Sequence, residues 1–419
     1  MKIALIIERF DPSAGGAEKS TAQIAHHLAR KGHQVSIITW WQSNTTMPGV
    51  QIVSRTERRR FGVLELLLFR GWALQQVADG DFDTSLSLTT TVPATVVQPR
   101  GGTLQETMLR NLALRKSILS RGAKRVLMNL APKNRVHLQL EHRTLADPMV
   151  KRIAALSQYV VCQLQRHYRI GLDRIVLIPN ASEMPKIADS QRRQWRRIVR
   201  EGFCIRDDRT VFLFAAWNER LKGVHTLLAA VKRLKQHGLV FSVLIVGAMP
   251  YRLQRLAAKL GVRDEIKFVG GTCCMPALFC AADVTVHPTY YDPSSKVVIE
   301  SLLMGVPAIS TVFNGASEWI RPDSRRDHGP GQLPPPGSDA DLGRGRVLDD
   351  PSDSVALAEA MAALAVPAER EKCRGFSDLS EALSMSHHVE SLERLLMDNT
   401  SAVPTRSSTA DLPDRAQIV

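Results

Sequence analysis

The chain has 419 residues, 44% hydrophobic and 23% charged, enough apolar material for a real core, which excludes general disorder. No apolar run approaches the roughly 18 residues that cross a bilayer, the longest, Val63–Phe69, being broken by Glu65, and the opening MKIALIIERF is too short and wrongly flanked for a signal peptide. Six cysteines without a CxxC pair argue against a disulfide scaffold or a zinc site, and 55 Lys+Arg against 41 Asp+Glu give a net charge of +14, a surface that attracts nucleic acid, acidic lipid or phosphorylated ligands.

The length fits two or three domains. KIALIIE predicts a first strand, SAGGAE a glycine-rich turn, and TAQIAHHLARKG a helix with Gly32 at its C-terminal cap. QVSIITW is the next strand, so the chain opens with a βαβ unit and a parallel sheet. Further strands are expected at Gly49–Val53, Thr84–Leu88, Val96–Gln98, Tyr159–Cys162 and Ile175–Ile178. Helices are expected at Val63–Ala78, Leu104–Arg125 and Arg143–Ala155. Pro179–Ser190 reads as a linker. Strand–helix alternation then restarts, with strands VFLFAAW, FSVLIVG, EIKFVG, DVTVHP and PAISTV and helices Gly223–His237, Tyr251–Leu260, Met275–Ala282 and Val297–Met304. Residues 321–346, rich in Pro, Gly, Asp and Arg, read as a mobile insertion, Ser384–Met397 as a helix, and 399–419 as a disordered tail. The fold class is α/β: two doubly wound parallel-sheet domains facing each other across a cleft, where ligands meet the carboxyl ends of the strands.

The positive charge is clustered. Arg58, Arg59 and Arg60 precede the apolar run Phe61–Phe69. Arg110, Arg115, Lys116, Arg121, Lys124 and Arg125 share one helical stretch with Leu112, Leu114, Ile118 and Leu119. Basic residues flanking apolar ones suit a helix lying on an anionic membrane, and equally a solvated face above a core stripe. No helix-turn-helix, RNA-recognition or zinc signature accompanies the charge, so no nucleic-acid partner is expected.

Three segments carry chemistry. Gly15-Gly16-Ala17-Glu18 joins the first strand to the first helix, where two glycines and a helix N-terminus admit an anion or simply make a tight turn. It is neither a GxGxxG fingerprint nor a P-loop. Arg220-Leu221-Lys222-Gly223 sets two cations at a strand's carboxyl end, a clamp for a diphosphate or a pair of surface charges. YYDPSSKVVIESLLMGVPAIST, residues 290–311, is the most specific: Asp292 in a loop and Glu300 on the next helix can face one ligand. Between them, Ser294, Ser295, Lys296 and Val297 offer helix-start N–H groups to a phosphate.

Taken together these strings resemble retaining glycosyltransferases of family 4, which have the GT-B fold. Asp292 and Glu300 match the family's Glu-x₇-Glu, with Asp in place of the first Glu, and Gly305-Val306-Pro307 matches its GVP. Arg220, Lys222 and Gly223 match its RxxKG-like element, Gly15, Gly16 and Glu18 its GGxE, Ile178–Ala181 its IPNG, and Asn314–Glu318 the loop after the acidic motif. The resemblance spans about residues 1–395, is strongest over 210–320, and within the family is nearest to bacterial lipopolysaccharide-core glucosyltransferases.

The resemblance implies an acceptor-side domain over 1–185, a nucleotide-sugar domain over 186–380, and a helix in 381–398 crossing back to the first. It implies transfer of a hexose from a nucleotide-diphosphate sugar, UDP-linked first of all, to a glycan or glycolipid of the lipopolysaccharide-core or exopolysaccharide type. Anomeric configuration would be kept by front-face attack. No cofactor and no metal are expected, because Arg220 and Lys222 would neutralise the diphosphate. Glu300 would hold the ribose and Asp292 the transferred sugar. Lys296 and Val297 N–H groups would meet the distal phosphate, the base would lie by Val269 and Gly270, and Gly15 and Gly16 would close over the phosphates. On the acceptor side Arg100, with Gly101, Gly102, Thr103, His142 and Arg143, could meet an anionic acceptor, or form only a glycine turn. The expected place is the cytoplasm, peripheral on the inner face of an anionic membrane. The alternatives are a non-catalytic nucleotide-sugar or carbohydrate-binding relative, favoured by the Asp292 substitution, and another GT-B enzyme such as a nucleotide-sugar epimerase.

Overall fold

A computed structural model describes residues 1–13, 15–43, 45–56, 62–115, 117–247, 251–271, 274–321, 343–373 and 375–400. The cluster Arg58–Arg60 with Phe61, Lys116, residues 322–342 of the expected insertion and the tail from 401 lie outside them.

Strands β1 (Lys2–Phe10), β2 (Gln34–Gln42), β3 (Val50–Thr56), β4 (Thr84–Ser87), β5 (Val96–Val97), β6 (Arg152–Ala155) and β7 (Ile175–Leu177) form a sheet in the order β3-β2-β1-β4-β5-β6-β7. A second sheet contains β8 (Thr210–Ala215), β9 (Phe241–Val246), β10 (Ile266–Gly270), β11 (Val284–Val286), β12 (Ala308–Thr311) and β13 (Gly345–Leu348), in the order β10-β9-β8-β11-β12-β13. Neighbouring strands in both sheets pair in parallel. The central strands are apolar on both faces, as parallel sheets covered by helices require: Ile3–Ile7 and Val211–Ala215 are buried throughout. In each sheet the order reverses beside its first strand, which opens a crevice at the carboxyl edge.

The first sheet is served by α1 (Gly16–Arg30), α2 (Val63–Asp79), α3 (Leu104–Ala113), α4 (Ile118–Leu130), α5 (Pro132–Ala146) and α6 (Gln158–Tyr168). The second carries α7 (Asp189–Gly202), α8 (Val224–Gln236), α9 (Tyr251–Lys259), α10 (Met275–Ala281), α11 (Lys296–Leu303), α12 (Ser354–Ala365), α13 (Pro367–Glu371) and α14 (Leu379–Ala382). The last helix, α15 (Met385–Met397), packs Met385, Val389, Leu392, Leu395 and Leu396 into the core of the first sheet, against residues such as Ile3, Leu5 and Leu86.

Four sequence expectations need correction. Tyr159–Cys162 is not a strand but part of α6: Ser157 caps the helix by accepting from Val160 N–H, and Val160, Val161 and Leu164 form its buried stripe. The strand is Arg152–Ala155, expected within a helix; it pairs in parallel between β5 and β7, with Ile153, Ala154 and Ala155 fully buried. The helix expected over Leu104–Arg125 breaks into α3 and α4. Gly345 and Arg346, expected in the insertion, belong to β13, and Asn399 and Thr400 still bond back to Leu396 and Met397.

Candidate active site

The carboxyl end of β8 leads through Asn218–Gly223 into α8, and this turn presents the basic pair. Glu219 O and Asn218 O accept from the N–H groups of Val224 and Lys222, at 2.9 and 3.1 Å. Gly223 has φ +82, and a Cβ there would stand 2.0 Å from Pro288 O, so only glycine lets the turn lie against the 287–292 loop. Leu221 O ties the two segments together by accepting from Tyr290 N–H at 2.8 Å and Thr289 Oγ1 at 3.2 Å. Arg220 is thereby left exposed and Lys222 half-buried.

Lys222 Nζ donates to Asp292 Oδ2 at 2.6 Å and to Tyr291 O at 2.9 Å. Burial alone would raise the Asp292 carboxyl, but the Lys222 ammonium and a bond from His287 hold it well below the ordinary carboxylate range. His287 is buried, which lowers its own affinity for a proton, and its Nε2 stands 3.5 Å from Asp292. Asp292 is therefore fixed in the loop, its Oδ1 also accepting from Ser294 N–H at 3.1 Å.

Glu300 lies just over one turn into α11. Its Oε1 accepts from Ser182 Oγ at 2.8 Å, a residue of the segment between the two sheets. Ser295 is the N-cap of α11, so the first N–H groups of the helix have no partner within it and are available to an anion. Val269 and Gly270 close β10 at the same carboxyl edge, and exposed Trp217 reaches Gly271 beside them.

The other domain faces this edge. Gly15 and Gly16 start α1, and Gly16 lies against the Lys296 stem. Four bonds stitch the 291–294 loop to the first domain. Tyr291 Oη donates to Gln163 Oε1 at 3.0 Å and Gly101 O at 3.2 Å. Ser157 Oγ donates to Pro293 O at 2.6 Å and Asn180 Nδ2 to Ser294 O at 2.8 Å. Gly102, with φ +69, makes room for Tyr291, whose hydroxyl would be 1.9 Å from a Cβ at that position.

Behind Gly15–Gly16 a cavity of about 360 Å³ opens in the first domain. Glu8, Glu18, Arg100, Gly102, Lys133 and His137 are among its lining residues. Of the acceptor-side candidates, Arg100, Gly101 and Gly102 line it. Thr103 is buried as the N-cap of α3, and His142 sits on the exposed side of α5, its ring 4.6 Å from that of Tyr168. Neither lines the cavity. His137, on the same helix as His142, does, and burial lowers its pKa. Sequence pattern alone does not single out His137, nor Ser182, Tyr291 and Trp217. Nothing local marks them, although an aromatic beside the acidic motif was a usable signal for Tyr291.

The structure thus brings Arg220, Lys222, Asp292, Glu300 and the start of α11 to one sheet edge, opposite Gly15 and Gly16. That edge offers cations, helix N–H groups and two carboxylates to a ligand that is anionic at one end and hydroxylated at the other.

Residues 196–363 match the sequence profile of the family described as Glycosyl transferases group 1. The lipopolysaccharide glucosyltransferase WaaG of Escherichia coli (strain K12) is 25% identical over 199 residues, 46% of this chain and 52% of that protein. In sequence the chain spans about half the length, or less, of the curated relatives it matches first. Among solved structures, WaaG superposes with a TM-score of 0.74 at 19% identity, covering 94% of this chain and 99% of that one. Anabaena HepE in complex with UDP and glucose gives 0.65 at 17% identity, covering 95% and 99%. The chain has the two-domain GT-B fold, and its residues 196–363 carry a Glycosyl transferases group 1 domain.

Proposed function

We propose that the chain is a retaining, metal-independent hexosyltransferase of family 4. It moves a hexose from a UDP-linked donor to a glycan or glycolipid of the lipopolysaccharide-core or exopolysaccharide type. The observation that carries this reading is the single edge on which Arg220, Lys222, the start of α11 and Glu300 meet, facing Gly15 and Gly16 of the other domain. Arg220 and Lys222 stabilise negative charge on the departing diphosphate. Glu300, oriented by Ser182, holds the ribose hydroxyls, and the base lies by Val269 and Gly270. Asp292, a methylene shorter than the family's Glu, holds the transferred sugar from its position beside Lys222. The acceptor hydroxyl attacks the anomeric carbon on the face the diphosphate leaves, and its proton passes to the leaving phosphate oxygen. Asp292 and Glu300 hold the donor; neither serves as nucleophile. The acceptor enters through the cavity lined by Arg100, Gly101 and Gly102. The printed descriptions of WaaG as a glucosyltransferase and of HepE with UDP and glucose support the choice of donor.

The chain acts in the cytoplasm, on the inner face of an anionic membrane. No helix of the described residues is long and apolar enough to cross one. Leu119, Val126, Leu127 and Leu130 of α4 are 57–85% exposed. At i, i+7, i+8 and i+11 they form one apolar stripe, and Arg121 and Arg125 lie on the opposite face of the helix.

A second reading, a non-catalytic sugar-nucleotide binder, is favoured by the ion pair that occupies Lys222 and Asp292. Thermal-shift screening with UDP, GDP, ADP, TDP and their sugars, first with EDTA and then with magnesium, tests the donor site. The expected result is a metal-independent rise with UDP compounds, absent in Lys222→Ala and Glu300→Ala. Incubation with UDP-glucose and truncated core oligosaccharide then separates transfer from binding alone. No shift with any nucleotide overturns the donor reading, and binding without turnover selects the second one.

A further inference from the structure

Lys296 enters the donor site above only through its backbone. Its side chain crosses the cleft: Nζ donates to Gln23 Oε1 at 3.0 Å and Ser20 Oγ at 3.2 Å, both on α1, and its stem runs beside Gly16. Both hydrogen-bond partners are neutral. Glu300 and Glu183 attract the ammonium only from farther off, while Arg100 and Lys19 repel it. Burial is the dominant influence, and the amine's pKa falls to about 8. A cation held away from water with only hydroxyl and amide dipoles for company is short of an anion.

Two neighbours share that shortage. The Arg100 guanidinium, on a residue 8% exposed, donates to Gln98 Oε1 and Asn180 Oδ1, both neutral. Ser294, 4% exposed and two residues before Lys296, has a hydroxyl with no partner among the described residues. Lys222, by contrast, already has a carboxylate partner in Asp292. The starts of α1 and α11 converge on the same place, and both favour negative charge.

We propose that the Lys296 side chain binds the donor's diphosphate, exchanging Ser20 and Gln23 for a phosphate oxygen and adding its charge to those of Arg220 and Lys222, part of which Asp292 offsets. This rests on the donor reading above. The ammonium stays protonated once a phosphate faces it, because the dianion adds to Glu300 and Glu183 against Arg100 and Lys19.

Calorimetric binding of uridine and UDP, without metal, is compared for the wild type, Lys296→Met and the double variant Ser20→Ala/Gln23→Ala. Lys296→Met is expected to weaken UDP roughly ten- to a hundredfold, the effect of one charge-assisted bond, and to leave uridine unchanged. The double variant, which frees the ammonium from α1, is expected to bind UDP at least as tightly as the wild type. Lys296→Met binding UDP like the wild type, or losing uridine and UDP equally, overturns the proposal. So does a double variant that reproduces the loss, since Lys296 would then be only a strap between domains. If the wild type binds no nucleoside diphosphate at all, the donor reading itself falls, and this proposal with it.

Discussion

The pair Lys222–Asp292 is partly buried on both sides, with side-chain exposures of 19% and 13% at 2.6 Å. Removing one partner strands a charge that water reaches poorly, so Lys222→Met is expected to cost about 3 kcal/mol at neutral pH. The pH dependence has a definite sign. The folded-state pKa of Asp292 is depressed, so the pair's contribution is complete above the unfolded value of about 3.9 and is lost as pH falls through the folded one. In the variant, burial acts on Asp292 without its ammonium partner and favours the protonated acid. The difference in Tm between wild type and variant should therefore be widest near neutrality and narrow below a pH of about 4. A difference that stays constant across that range would assign the cost to lost packing. The same residues show how far the sequence reached. It brought Arg220, Lys222, Asp292 and Glu300 to one place because strand ends and helix starts in alternating α/β chains share an edge. It could not show that Asp292 pairs with Lys222, that Ser182 orients Glu300, or that Lys296 reaches Ser20. Those contacts join residues 70, 118 and 276 positions apart, and no periodicity relates them.

At the scale of elements, α15 decides whether the first domain holds together. Val389, Leu392 and Leu396 are fully buried against the first sheet, with Met385 and Leu395 nearly so. At roughly 1.5–3 kcal/mol for each large apolar side chain, the helix contributes on the order of a whole domain's net stability. A chain ending at Ser384 is expected to lose its cooperative thermal transition in the first domain. One ending at Thr400 keeps every described contact of α15 and should melt like the full chain. Equal melting of both truncations would contradict this. α15 was legible because its apolar residues recur at helical spacing, and so were β1, β2, β8 and β9, whose runs are long and flanked by turns. β6 and α6 were exchanged because alanines in RIAA suggest a helix and QYVVC suggests a strand. Tertiary context overrode propensity in both: RIAA pairs between two strands, and α6 buries an apolar stripe behind its Ser157 cap. The break between α3 and α4 carries neither glycine nor proline, so nothing in the sequence announced it.

For the whole molecule, a net charge of +14 and the apolar stripe of α4 act over different distances. Charge attracts an anionic surface across a Debye length of about 8 Å at physiological salt and fades as salt rises. Apolar side chains gain only once they enter the headgroup layer, and that gain does not weaken with salt. Leu119, Val126, Leu127 and Leu130 lie on the first domain, which also holds the acceptor-side cavity, so a membrane docked there would sit on the domain proposed to receive a glycolipid. Co-sedimentation with phosphatidylglycerol vesicles at low salt should retain the wild type and should retain Leu119→Ser/Leu127→Ser more weakly. Raising the salt should release the variant first, because charge is then its main hold, and neutral phosphatidylcholine vesicles should retain neither. Wild type and variant should both keep the metal-free shift with UDP, since neither Leu119 nor Leu127 belongs to the donor edge. Equal release of wild type and variant by salt would make the attraction purely electrostatic and leave the exposed leucines without a membrane role.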